Sequence, residues 1–388
     1  MNSIRDNKER IGTLALIMTG GLGRAGRTAL IGRYGSAGGV LSAPKGELSG
    51  GFGLSAASLE ALVGGKSFES AAKEFEAALI LGVKILFPFD DGWPPALKDS
   101  GIAPEVLYVK GEFHPSDFFS VAIVGSRRAT AYGLEAAGFI ASELGKMGVA
   151  TVSGLARGID ARAHRASLDA GARTIAVLGN GLATCYPSEH RRLAEEIADG
   201  RGSVVSEFPL DTPPDRYTFP RRNRIIAALS LATVVAEAGD KSGALITARF
   251  AADEGKEVFA VPGPIFSKTS AGVHSLIKSG AKLVHGVSDI VDEIAYLAGW
   301  AGAVSPSRDA QAAGGGVSAA GASAVPLEPE EKRILDELKK VSSGVSIDSL
   351  ENATGIQAGE LSGLLVGLEI KGVIRALPGK HYAAASAV

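Results

Sequence analysis

The chain has 388 residues, with 40 basic and 42 acidic side chains and a formal net charge of −2. That balance argues against a surface that is basic throughout, so any nucleic-acid site must be a local cluster of cations on a near-neutral body. A lone cysteine, Cys185, excludes an internal disulfide framework and a zinc site built on cysteines, and the early apolar run Leu14–Met18 is too short for a membrane span or a signal-peptide core.

Residues 1–75 are glycine-rich with short helical patches, and are expected to form a small helical domain. From residue 76 to about 300 apolar runs alternate with helical patterns. Strands are predicted at Val121–Val124, Ala150–Val152, Thr174–Leu178, Ser203–Ser206, Thr233–Ala236, Glu257–Val261 and Lys282–Val284. Helices are predicted between them at Leu134–Met147, Ile159–Ala170, Glu189–Ala198, Asn223–Leu229 and Ala244–Glu254. Strand and helix in alternation imply parallel crossover units, hence an α/β fold with a doubly wound, mostly parallel sheet. Residues 301–326 are rich in Ala, Gly and Ser without periodicity and read as a flexible linker. In 327–388 an amphipathic helix at Glu328–Lys340, helices at Val345–Asn352 and Glu360–Ile370, and a hairpin around Pro378-Gly379 make a winged-helix pattern.

In an open parallel sheet, ligands bind beyond the carboxyl ends of the strands. Those ends carry Gly125-Ser126-Arg127-Arg128, then Ser153 to Asp160 with Gly154 and Gly158, then Gly179-Asn180-Gly181, then Glu237 to Gly243 with Lys241 and Ser242. Residues 216–224 add Arg216, Tyr217, Phe219, Arg221, Arg222, Asn223 and Arg224 without an acid among them. Glycines let backbone N–H groups approach an anion, arginine offers a planar fork for phosphate, and an aromatic face can stack a base. Each feature alone also has an ordinary structural use: a turn, a solvated face, or core packing for Phe219. Their coincidence at one edge suits a phosphate-bearing ligand, and serves a polynucleotide and a phosphorylated small molecule alike.

The segments VAIVGSR at 121–127, VSGLARGID at 152–160, TIAVLG at 174–179, FPRRNRIIA at 219–227, SGALITAR at 242–249 and EVFAVPG at 257–263 resemble, in order and spacing, the signature of the DNA-processing protein A (DprA/Smf) family. The resemblance is strongest over 76–298 and weakest over 1–70. It implies an extended Rossmann-like domain over 76–300, a sterile-alpha-motif or helix-hairpin-helix module over 1–75 and a winged-helix domain over 327–388. It further implies a cytoplasmic homodimer that binds single-stranded DNA without sequence preference and loads the RecA recombinase onto it during natural transformation, with no cofactor, metal or catalysis. The nucleic-acid contacts it implies are Ser126, Arg127, Gly154, Gly158, Phe219, Arg221, Arg222, Asn223, Arg224, Lys241 and Ser242. In the winged helix, Gln357, Glu360, Gly363 and Gly367 are expected on the exposed side of the recognition helix, with no Arg or Lys before Lys371. Groove reading needs Arg, Lys, Asn or Gln there, so a protein-contacting or regulatory role is expected of this module. At Gly21–Gly26, a phosphate-contacting hairpin would use Arg24, Arg27 and Arg33, which otherwise serve packing.

Two other function classes compete. A dinucleotide-dependent oxidoreductase requires G-x-G-x-x-G after the first strand, where Gly125-Ser-Arg-Arg-Ala-Thr stands instead. A nucleotide or phosphoribosyl hydrolase could pair Asp160 with His164, one helical turn apart, alongside Glu207 and Glu237 at strand ends. The plainer reading has Asp160 bracing the helix start and orienting His164. No Walker-type phosphate loop is present.

Overall fold

A computed structural model describes residues 2–49, 52, 54–98, 100–294, 328–339 and 345–357, and beyond these 361, 363–365, 367, 368, 373–377 and 381–384. The linker expected over 301–326 lies outside the described residues. The chain divides into two compact units, Met1–Ser305 and Pro306–Val388.

The first unit opens with six helices, α1 (Asn2–Met18), α2 (Arg24–Tyr34), α3 (Ala37–Leu41), α4 (Lys45–Leu48), α5 (Ala56–Val63) and α6 (Lys66–Ile80). Their apolar faces close over Leu16, Leu30, Val40, Leu48 and Leu62. A second cluster joins α1 and α6 to the sheet that follows, through Leu14, Ala71, Ala78, Ile85, Phe87 and Tyr108. Arg27 pairs with Glu105, Arg24 donates to the Ala103 carbonyl at 3.2 Å, and Arg33 lies over Tyr34 and Phe52. Arg24 and Arg27 therefore clamp these helices onto the lead-in to the sheet.

The sheet has nine strands: β1 (Val83–Leu86), β2 (Leu107–Gly111), β3 (Ser120–Gly125), β4 (Ala150–Ser153), β5 (Thr174–Val177), β6 (Gly202–Ser206), β7 (Ala232–Glu237), β8 (Glu257–Ala260) and β9 (Lys282–Leu283). Their order is β1-β2-β6-β5-β4-β3-β7-β8-β9. The six pairings from β6 to β9 are parallel, whereas β1 and β2 add antiparallel at one edge. Buried on both faces, the central strands are rich in Val, Ile and Ala throughout, with buried Thr151, Ser153, Thr174 and Ser203 among them. On β3, Val121 and Ile123 face the cluster formed with α7 (Ala131–Lys146) and α8 (Ile159–Asp169). Ala122 and Val124 face α10 (Thr218–Leu229) and α11 (Ala244–Asp253) on the other side. A short α9 (Arg191–Glu196) precedes β6, and α12 (Ala271–Lys278) and α13 (Ser288–Val291) flank β9.

The order in which strands are added reverses at the centre. From β3 the path steps to β4, β5 and β6 on one side, then crosses to β7, β8 and β9 on the other. The carboxyl ends of β3 and β7 thus define a topological switch point, where diverging loops leave a crevice.

In the second unit, the helix Pro329–Lys339 and the helix Ile347–Thr354 pack Ile334, Leu338, Leu350, Leu361, Leu365 and Ile374 into one core. A three-stranded antiparallel sheet joins Val345–Ser346, His381–Ala384 and Ile374–Leu377. A helix was predicted to begin at Val345. Instead Val345 and Ser346 pair with the hairpin, because the Ser346 hydroxyl caps the helix by accepting from the Ser349 N–H at 3.3 Å. The turn at Pro378-Gly379 and Glu360 lie outside the described residues.

Candidate nucleic-acid interface

A cleft of about 940 Å³ occupies the switch point. Six basic side chains (Arg127, Arg128, Arg216, Arg222, Lys241, Lys268) and three acidic ones (Asp160, Asp215, Asp240) line it. A chain of net charge −2 therefore concentrates positive charge where its strands end. Of the residues singled out in the sequence, Ser126, Arg127, Phe219, Arg222, Asn223, Lys241 and Ser242 meet here.

The loop after β3 is locked from several directions. The Ser126 N–H donates to the Glu237 carbonyl at 2.8 Å, and the Arg128 N–H donates to the Ser126 hydroxyl at 3.1 Å. The Glu237 carboxylate, buried at the end of β7, accepts from the Thr130 N–H at 3.1 Å and from its hydroxyl. Arg127 is left exposed at the tip, its guanidinium 4.8 Å from the centre of the Phe219 ring. Among the described residues Arg127, Arg128, Lys241 and Lys268 take part in no ion pair within 4 Å.

The two glycines expected to let a strand lie close serve the protein's own packing. A Cβ on Gly154 would stand 2.5 Å from the Arg222 guanidinium. Gly158 has φ +76°, and a Cβ there would stand 2.3 Å from the Ser126 carbonyl oxygen. These glycines admit a buried guanidinium and the neighbouring loop.

The arginines of α10 also diverge from a row of phosphate contacts. Arg222 is 4% exposed; it donates to the Gly154 carbonyl at 2.7 Å and to the Val177 carbonyl, tying the ends of β4 and β5 together. Burial lowers its pKa to about 10, partly offset by the charge of Asp160, so it stays cationic at neutral pH. Asp160 is buried in turn, which pushes its carboxyl up, while Arg222 and the N–H groups of Ala156 and Gly154 pull it down. Arg224 pairs with Glu207 and donates to the Ile102 carbonyl, and Arg221 reaches the same carboxylate at 3.0 Å. Both lie outside the lining of the cleft. Asn223 is buried, accepting from Arg222 at 3.1 Å and donating to the Gly243 carbonyl at 3.0 Å. Phe219 is half-buried: its ring lies against Gly179 and 5.6 Å from that of Tyr186, with Arg127 over it.

Asp160 braces the loop before α8 by accepting from Gly154 and Ala156. It does not orient His164, whose Nδ1 lies 2.7 Å from the Thr174 hydroxyl. Burial pushes His164 down to about 3, so it is neutral at physiological pH. Asp160 and His164 thus hold separate positions and not a shared proton relay.

Arg128, Arg216 and Lys268 were not singled out as contacts by sequence. Lys268 follows β8, and its place beyond the end of a parallel strand is the signal for it in the sequence.

The family described as DNA recombination-mediator protein A matches residues 84–295, and the DprA winged helix domain matches residues 318–380. The putative DNA processing protein DprA of Mycobacterium tuberculosis (strain H37Rv) is 34% identical over 328 residues, 81% of this chain and 80% of its own. The chain belongs to the DprA/Smf family. Protein Smf of Escherichia coli (strain K12) is 47% identical over 216 residues, 55% of this chain, and the match spans only 58% of that protein. The X-ray structure of DprA from Streptococcus pneumoniae superimposes with a TM-score of 0.62 at 33% identity, covering 72% of this chain and 96% of that one. The DprA winged helix assigns the second unit, and the mixed, mostly parallel sheet is the Rossmann-like body expected from sequence. Among the described residues no helix is long and apolar enough to cross a membrane, and no cluster of three or more His, Cys, Asp or Glu could hold a metal ion.

Proposed function

We propose that the cleft binds single-stranded DNA without sequence preference, and that the protein is a cytoplasmic, homodimeric recombination mediator. It would load RecA onto incoming strands during natural transformation, with no cofactor and no chemistry of its own. The observation that carries this reading is the excess of cations over carboxylates in an open crevice with aromatic side chains at its wall. Membership of a family described as DNA recombination mediators supports the same reading.

In this proposal Arg127 and Lys241 neutralise phosphates while Ser126, Ser242 and nearby backbone N–H groups complete the anion contacts. Phe219, already covered by Arg127 on one face, presents its remaining edge to a base. Arg222, Asn223, Gly154 and Gly158 shape the wall. Arg221 is exposed and shares Glu207, so it contributes at the outer margin, with Arg224 as its half-buried support.

The test is titration of labelled oligonucleotide at several salt concentrations, with duplex competitor and with and without recombinase. Single strands are expected to outcompete duplex, and affinity should fall steeply with salt as counterions are released. Arg127→Ala should weaken strands of every sequence and lower the salt slope by about 0.7. A flat salt response, or a variant indistinguishable from wild type, would remove the cleft from this role.

A further inference from the structure

We propose that the turn Pro264–Ser267, on the bank of the cleft opposite Phe219, is a second nucleotide subsite, in which Phe266 stacks an unpaired base while Lys268 and Lys241 hold the adjoining phosphates. The proposal rests on the reading of the cleft as a single-strand groove.

Phe266 is 94% exposed and Ile265 beside it 77%. Large apolar side chains are mostly buried, and here two neighbours stand in solvent together. Phe266 also differs from the other aromatics of this region. Phe219 carries Arg127 and Tyr186 against its ring, and Tyr217 carries Arg216 at 4.6 Å. Phe266 has no aromatic or guanidinium partner among the described residues.

The turn is braced, so its tip is held out by design of the backbone. The Ser267 N–H donates to the Pro264 carbonyl at 3.0 Å, and the Ser270 N–H donates to the Ser267 carbonyl at 3.1 Å. On the near side the Tyr132 hydroxyl donates to the Pro262 carbonyl at 2.7 Å, and His274 Nε2 lies 3.0 Å from the Gly263 carbonyl. A preformed turn loses little conformational freedom on binding.

Position and charge select the occupant. Lys268 and Thr269 line the cleft, and two residues of chain span at most about 7 Å, so Phe266 stands at its rim. Gly239, at the end of β7, packs against the Lys268 carbonyl, where a Cβ would come within 3.0 Å. The turn is therefore seated at the switch point. An apolar tip two residues from Lys268, beside a lining that also holds Lys241 and Asp240, suits a ligand that alternates flat apolar faces with negative charge. An unpaired polynucleotide has that pattern, whereas an apolar protein surface would leave both ammonium groups unanswered.

The experiment uses the full chain and a fluorescein-labelled oligothymidylate followed by anisotropy. Phe266→Ala should weaken binding about tenfold with the salt slope unchanged, since a stacked base carries no phosphate contact. Phe266→Trp should restore affinity, and Phe266→Leu, apolar but not aromatic, should not. Lys268→Ala should lower the salt slope by about 0.7. A wild-type protein that fails to bind overturns the cleft reading as a whole. A wild type that binds alongside an equally tight Phe266→Ala or Phe266→Leu overturns the subsite alone. Sedimentation decides the remaining outcome: if Phe266→Ala converts a dimer into a monomer, the turn is a contact between copies and the subsite is rejected.

Discussion

Arg222 and Arg224 stand two positions apart on α10 and meet different partners, one a pair of strand-end carbonyls and the other a buried carboxylate. Glu207 has a side chain 3% exposed, so its charge is tolerated only because guanidinium groups answer it. Removing the closer guanidinium leaves that charge to the exposed Arg221 alone and strands the Ile102 carbonyl. Arg224→Ala should therefore cost about 3 kcal/mol of stability, read by denaturant unfolding, while the salt slope of strand binding stays at the wild-type value. A lowered slope at unchanged stability would place Arg224 on the DNA instead. The contrast with Arg127 was not legible in the sequence. Basic residues without acids between them look alike, and what separates them is Glu207, which reaches α10 from the end of β6.

At the scale of elements, the loop after β3 and the loop before α8 fit one another through Gly158. Its ψ of −124° at φ +76° belongs to a region that only glycine occupies readily, and its missing Cβ leaves room for the Ser126 carbonyl. Gly158→Ala should destabilise the protein by more than about 2 kcal/mol and displace Arg127, so thermal midpoint and strand affinity fall together. A variant that melts like wild type would show that the loop yields. Much of this layout was readable from sequence: β3 to β8 announce themselves as short β-branched runs between helical patterns. β1 and β2 did not, because exposed Lys84 and Lys110 interrupt them and they pair antiparallel at an edge. Helix α10 begins at Thr218, five residues before its predicted start at Asn223, since Pro220 sits in the first turn where its lack of an N–H costs nothing.

For the whole molecule, the distribution of charge matters more than its sum. The lining of the cleft comes entirely from residues 124–269, within the first compact unit. The described part of the candidate recognition helix offers no cation, and Gly363 is exposed on it. Deleting 302–388 should accordingly leave single-strand affinity nearly unchanged in the same anisotropy titration; a large loss would show that the winged helix itself grips the strand. The alternation of strand and helix made the sheet predictable at this scale. Which loops share a bank of the crevice depended on strand order, and that order is not written in any one segment.

The cleft draws its cations from stretches around 127, 216, 241 and 268, on either side of the point where the sheet changes direction. No single fragment of the polypeptide owns the set. A polyanion lying across it would act as a clasp between the β4–β6 wing and the β8–β9 wing, available only to a chain that has closed both. Occupancy would therefore oppose unfolding by an amount that rises with the logarithm of ligand concentration over its dissociation constant. Conversely, loosening either wing would empty the clasp, so a mediator that held its strand in the proposed cleft would also hold itself shut.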